Sequence, residues 1–405
     1  MRLHFALILA LTAAAASAQT GHTITQGAGY ADDVFFSLND GIVDVVPGTN
    51  WDLAFDVSGP FSATVRVNDG HGRLVSVWPD GGIGDWGAVT DTTGFSEWPR
   101  LNNGITAWEQ GALNASASGD PSDFSWGIYT GPPLHQVVGD SIYLLQRPDA
   151  STFKFRIDNL DSGVWNLTYA PFDGGPEMTA SFDMADYAGK NFVYFDFDNG
   201  VVDREPLAAD WDFVFTRYVG ETLYGLFPTT GVLLNKLRPA AEAAETPVGD
   251  ASLTDVNLNV DDISVIGNDW KSLVNFEWQL AEDLSYFVES GSGSVCQIWF
   301  TAFEGSSTGV TSFNVLPVSG MSISTNDAPV AQWSVFPNPI GSGALNIQGT
   351  AAVQEAMIFD SFGRLVSRVI LNGRTTLATD GLASGRYHLQ LVGDSGIEHH
   401  AILKQ

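Results

Sequence analysis

Residues 48–55 read GTNWDLAF, and residues 208–215 read AADWDFVF. The same Trp-Asp strand therefore occurs twice in one chain. The segments before it correspond as well. VFFSLNDGIVD (34–44) matches VYFDFDNGVVD (193–203), so Gly41 falls on Gly200, Asp44 on Asp203 and Pro47 on Pro206; one inserted residue then brings Trp51 onto Trp211. In the second copy Trp211, Phe213 and Phe215 alternate with Asp212, Val214 and Thr216, the period of a half-buried strand. The far ends also align. SIYLLQRPDASTFKFRIDNLDSG (141–163) parallels LSYFVESGSGSVCQIWFTAFEGS (284–306), with Tyr143 on Tyr286 and Phe153 on Cys296. Each copy is expected to begin and end with a strand hairpin. SGSGS (290–294) reads as the turn of one of them.

The composition points the same way. The 405 residues include 43 Gly, 25 Phe and 12 Trp, with 44% apolar residues, which favours strands joined by turns and ample buried core. The expected fold is all-β dominated. It consists of two duplicated units, 19–172 and 173–319, then a polar linker, 320–332, and a tail domain, 333–405. The middles of the copies differ. The second holds an Ala/Glu tract (240–245) that reads as a helical turn or a solvated loop.

Acidic residues number 47 against 18 basic ones, for a formal charge of −29. Such a surface repels phosphate backbones and anionic lipid, which excludes nucleic acid as a partner class. Residues 1–18, MRLHFALILALTAAAASA, carry Arg2, a short apolar core and a small-x-small end, and read as a signal peptide cleaved after Ala18. No later apolar run is long enough for an integral membrane helix. The single cysteine, Cys296, precludes an internal disulfide and reads as a small core residue.

The tail contains FPNP (Phe336, Pro337, Asn338, Pro339), LNI (345–347), a D-x-x-G-R turn (Asp360, Gly363), L-x-x-G-x-Y (Gly385, Tyr387) and a short basic end. In this order the pieces resemble the C-terminal sorting domain of proteins exported by the type IX secretion system of Bacteroidetes-type bacteria. The resemblance implies a small Ig-like β-sandwich read by the outer-membrane translocon. It also implies removal by a sortase and a final location on the cell surface or outside the cell, beyond both membranes.

The duplicated units resemble the HmuY-like family of surface proteins. The carrying residues are VYFDFDNGVVDREP (193–206), WDFVFTRY (211–218), TGVLLN (230–235), IGNDWK (266–271) and QIWFTAFEGSSTGVTSF (297–313), with FFSLNDGIVD, NWDLAF, WGIYTGPPLH and VVGDSIYLL in the first copy. That family's founding activity is haem capture, which implies paired axial ligands over an apolar cleft. The candidates here are His71, in NDGHGR, and His135, in PPLHQ; His22 sits at the expected mature N-terminus and reads as frayed.

No zinc-protease, nucleophile-elbow or phosphate-loop motif occurs, and the reading is non-catalytic. Asp196 and Asp198 have the spacing of a carboxylate pair but read as solvated strand-edge charges. Five tryptophans, Trp78, Trp86, Trp98, Trp108 and Trp126, are interleaved with Gly, Asp, Asn and Pro. They form either core or a glycan-stacking surface. The sequence thus favours a sorted, non-catalytic surface protein for binding or structure, with haem and glycans as the candidate ligands.

Overall fold

The computed structural model describes residues 19–318 and 333–404, apart from short stretches at 60–61, 116–117, 119, 121, 223–224, 261, 338–339, 342, 350–352, 361–364, 372–374 and 394–395. The expected signal segment with its cleavage point, the whole linker 320–332, and Asn338, Pro339 and Gly363 lie outside the described residues. Strands take 49% of the described residues and helices 7%, so the fold is all-β dominated as the composition implied. Two compact units emerge, 1–319 and 320–405.

The first unit contains two lobes. Lobe 1 runs from residue 53 to residue 202. One sheet is built on the long hairpin Thr152–Asp161/Val164–Pro171, flanked by Met178–Asp183. A second sheet orders Gly200–Val202, Phe192–Asp196, Leu53–Asp56 and Val65–Val67. Between them lie Phe55, Trp126, Phe155, Trp165 and Phe195, all buried. Lobe 2 repeats the plan. Its five-stranded sheet orders Thr20–Thr25, Val310–Pro317, Val295–Phe303, Leu284–Glu289 and Ala240–Ala244. Its four-stranded sheet orders Gly225–Leu234, Phe213–Thr222, Asp32–Ser37 and Gly41–Pro47. Phe36, Phe213, Phe215, Tyr286 and Phe313 fill the space between.

The lobes cut across the two sequence copies. The front hairpin of the first copy pairs with the Trp-Asp strand of the second, Phe36 opposite Phe213 and Val34 opposite Phe215. The front hairpin of the second copy pairs with the Trp-Asp strand of the first, Phe195 opposite Leu53 and Val193 opposite Phe55. The two registers are equivalent. Each hairpin turns at a glycine with positive φ, Gly41 at 84° and Gly200 at 77°, where a side chain would be strained. We term 20–47 and 178–202 the two arms. The second arm follows the lobe it completes. The first belongs to a lobe whose other strands begin at residue 213.

Three local expectations change. The Ala/Glu tract is an edge strand, with Ala240, Ala241 and Ala243 buried and Glu242 exposed; pairing with Leu284–Glu289 overrides helix propensity. His22 is not frayed: it lies in a strand opposite Phe313, with its ring 5.0 Å from Phe36. Trp211 does not share the packing face of Phe213 and Phe215. The strand begins at Phe213, and Trp211 packs instead with Phe35, Val214 and Leu233 on the opposite side of the sheet. Ser290 to Ser294 do form the turn between Leu284–Glu289 and Val295–Phe303. Cys296 is buried beside that turn, and burial pushes its thiol up to about 11.

The second unit is a two-sheet sandwich. Trp333–Phe336, Ala344–Gly349 and Thr376–Ala378 face Leu365–Ile370, Val353–Asp360, Gly385–Gly393 and Gly396–Lys404 across Trp333, Leu345, Ile358 and Leu389. Phe336 is 45% exposed, whereas Tyr387 is buried and its hydroxyl donates to Ala383 O at 3.0 Å.

Candidate functional site

The seam between the lobes is made by the Trp-Asp pairs, and their geometry recurs twice. Asp52 N donates to Phe195 O and Asp212 N to Phe36 O, both at 2.8 Å. The Asp52 carboxylate accepts the turn amide of Phe197 at 3.0 Å, and that of Asp212 accepts the turn amide of Leu38 at 2.8 Å. Arg73 Nε donates to Asp52 at 3.1 Å; Arg238 Nε donates to Asp212 at 2.8 Å. Asn68 Nδ2 donates to Gly48 O and Trp51 O, and Asn235 Nδ2 to Ala208 O and Trp211 O. Each indole meets the opposite arm edge-on, Trp51 against Tyr194 and Trp211 against Phe35, both at 5.0 Å between ring centres. Each Trp-Asp pair is therefore a clasp on the front hairpin of the other copy.

The clasps differ in one respect. Asp52 also takes Arg147, which reaches Asp196 and Asp198 as well. At Asp212 the corresponding place is taken by the Gly291 amide at 2.8 Å. Asp196 is thus buried and ion-paired, not a solvated edge charge, and its carboxylate also caps the turn at Asp198 and Asn199; Asp198 alone faces water.

Between the clasps the outer faces of the two four-stranded sheets line a chamber of about 60 Å³, with both polar and apolar side chains around it. Arg204 donates to Asp33 at 2.6 Å, and His71 Nε2 lies 3.6 Å from the same carboxylate. Burial raises the Asp33 pKa, but Arg204 and His71 outweigh it and hold the group at about 2. Two other acids behave oppositely. Burial pushes Glu205 up to about 7 and Asp69 up to about 6, despite amide donors from Phe192 and Asn103. Burial also lowers Arg66 to about 10, while its guanidinium donates to Gly104 O, Ala107 O and Trp108 O. The loop bearing Asp69 and His71 presses on lobe 2 so closely that a Cβ on Gly70 would lie 2.2 Å from Arg217 O.

A wider groove of about 760 Å³ opens on the seam and shares Trp108 and Asn191 with the chamber. Its walls come from both lobes: Ser58, Thr106, Glu109 and Lys190 from one, Lys236, Leu237, Arg238, Val260 and Ile263 from the other. Lys236 bridges the lobes, pairing with Asp56 at 2.7 Å and Glu109 at 3.0 Å. Leu237 is 79% exposed and has a positive φ of 56°. Trp108 Nε1 donates to Leu234 O at 2.8 Å while Arg66 lies over its ring.

The residues singled out from sequence are dispersed. His71 is sealed in the seam, whereas His135 is on a separate loop with its Nδ1 2.5 Å from the Tyr129 hydroxyl. The five tryptophans divide three ways. Trp126 is in the lobe 1 core, with Nε1 donating to Ala63 O at 2.8 Å. Trp78, Trp86 and Trp98 form a cap with Phe95 on the outer side of lobe 1, and Trp108 alone reaches the groove. Within the cap, Lys154 and Arg156 lie over Trp86, and Arg100 lies over Phe95. These rings already stack on the protein's own scarce cations.

Asn68, Arg73, Asn235 and Arg238 were not visible as site residues. The loop from Asp52 to Asn68 is shorter than that from Asp212 to Asn235, so no repeat alignment brings them together. Among the described residues, no three His, Cys, Asp or Glu side chains are grouped to hold a metal ion, and no helix is long and apolar enough to cross a membrane.

Residues 334–405 match the secretion system C-terminal sorting domain, the region singled out by its motifs. No curated protein matches the chain. The sorting domain indicates export to the cell surface or the extracellular space and implies engagement of the type IX secretion machinery.

Proposed function

We propose that the protein is a non-catalytic binding protein of the cell surface, and that its ligand docks in the groove at the seam. The groove carries this reading: it is wide, lies between two lobes and has walls from both, a usual place for a ligand site. Its walls combine hydrogen-bonding groups (Ser58, Thr106, Glu109, Asn191, Lys236) with the apolar surface of Trp108, Leu237 and Val260. That mixture suits a hydroxylated chain such as a glycan. The HmuY-like resemblance of the two copies supports a surface-binding role. Haem capture fits less well, because His71 is 6% exposed and already faces Asp33. Sortase processing of the tail would leave the binding unit on the surface or release it.

Calorimetric titration of the secreted chain with a panel of soluble glycans, and separately with haemin, tests this reading. Expected are saturable binding of at least one glycan and an affinity loss of about tenfold in Leu237→Asp, equivalent to about 1.4 kcal/mol. Leu237 is exposed enough for the variant to fold. Binding unaffected by that variant, or no glycan binding with tight low-spin haemin binding, contradicts the proposal.

A further inference from the structure

The chamber behind the groove has its own unmet chemistry. Asp33 Oδ1, Arg204 Nε, Trp51 Nε1 and Trp211 Nε1 are buried and find no hydrogen-bond partner among the described residues. All four residues line the chamber. His71 Nε2 is likewise unpartnered and lies 3.6 Å from Asp33 Oδ1, beyond hydrogen-bond distance. Buried polar atoms are nearly always bonded, and leaving one unpaired is destabilising. A cluster of such atoms around one space marks a guest site.

The donors and acceptors define the guest. Three N–H groups, two from indoles and one from Arg204, need an acceptor, while the Asp33 carboxylate needs a donor. A cation cannot satisfy the N–H groups. An anion cannot donate to Asp33 and would be repelled by it. A hydroxyl oxygen both accepts and donates. Three other charged groups facing the space are already engaged: Arg66 by carbonyls, Asp69 by the Asn103 amide and Glu205 by the Asn191 and Phe192 amides; Arg217 also lines it and offsets part of the Asp33 charge. Since a water needs roughly 10–15 Å³ by this measure, about four hydroxyl-sized groups fit.

We propose that the chamber binds a neutral, hydroxyl-bearing guest, held by Asp33, Arg204 and the paired indoles of Trp51 and Trp211. The guest is either a cluster of water molecules or a small polyol with the same chemistry. It joins the two clasps through the one space that both indoles share. The inference concerns the chamber alone and stands whether or not the outer groove binds a glycan.

Crystals of the full secreted chain, grown without polyol and diffracting well enough to place waters, give the direct test. Native mass spectrometry of the same preparation separates the two sources. Discrete peaks bridging Asp33 Oδ1 to an indole nitrogen, with no added mass, identify water; continuous density with a matching mass increment identifies a polyol. Either result supports the site. Trp51→Phe and Trp211→Phe retain the rings and remove one donor each; each is expected to lose the guest density beside its ring. An empty chamber, direct closure of the side chains on one another, an ion in the space, or guest density unchanged in both variants overturns the proposal.

Discussion

Lobe 1 and lobe 2 are closed by equivalent arms, but the arms come from different directions along the chain. In lobe 1 the arm 178–202 follows directly from the hairpin it packs beside. In lobe 2 the arm 20–47 is at the N-terminal end, and its first strand pairs with Val310–Pro317, the last strand of the unit. The equilibrium cost of this difference is small, because doubling the length of a closed loop costs only about 0.6 kcal/mol. The order of assembly differs more. Lobe 1 can close once residue 202 is available, while lobe 2 needs both ends of the unit. The paired clasps make the two closures alike in chemistry apart from Arg147 at Asp52, and connectivity is the larger difference.

Several changes would break or sharpen this comparison. Trp211→Ala has the largest expected effect, a loss of about 3–5 kcal/mol in urea unfolding, because the ring is fully buried against Phe35. Trp51 is less buried, and Trp51→Ala should cost distinctly less. Asp52→Ala follows at about 3 kcal/mol, since it takes a buried carboxylate from both Arg73 and Arg147, although Arg147 keeps Asp196 and Asp198. Asp212→Ala removes the carboxylate from Arg238 alone, which keeps Ala208 O and Trp211 O, and a smaller loss than at Asp52 is expected. Equal losses at Asp52 and Asp212 would show that the extra arginine adds nothing to the first clasp.

A smaller effect concerns pH. Glu205 and Asp69 have folded pKa values above their ordinary ones, so the folded state holds protons that the unfolded chain releases. Their contribution is complete below about pH 4 and is lost as the pH rises through about 6 to 7. Asp33 works in the opposite sense, but its loss comes only as the pH falls from about 4 through about 2. The melting temperature should therefore decline between pH 5 and pH 7, above which buried Lys271, lowered to about 7, acts in the opposite sense, and Glu205→Gln should flatten that decline. An unchanged slope would remove Glu205 from the explanation. The smallest effect is expected at Phe276, 93% exposed on a hairpin tip, where Phe276→Ser should shift stability by less than about 0.5 kcal/mol.

The two equivalent hairpins were legible because strand cores and turn glycines keep their spacing at 34–44 and 193–203. The sorting tail was legible because several short motifs occur in a fixed order. The exchange of arms was not. A repeat tells which segments are equivalent, but Phe36 presents the same alternation to Leu53 as to Phe213, and either pairing satisfies the pattern. The clasp carboxylates could be noticed beside their tryptophans, whereas Asn68 and Asn235 were hidden by loops of unequal length. Asp196 was misread because its partner, Arg147, lies far away in sequence. The cap tryptophans were ambiguous because their cations come from strands across the sheet, which loop composition does not reveal.

The central claim is that lobe 2 depends on an N-terminal arm while lobe 1 does not. Hydrogen exchange on a chain lacking residues 20–47 tests it most directly. The account predicts lost protection in Phe213–Thr222 and Val310–Pro317, retained protection in Thr152–Asp161 and Val164–Pro171, and recovery when a synthetic 20–47 peptide is added. Retained protection in Phe213–Thr222, or equal loss in both lobes, would contradict it.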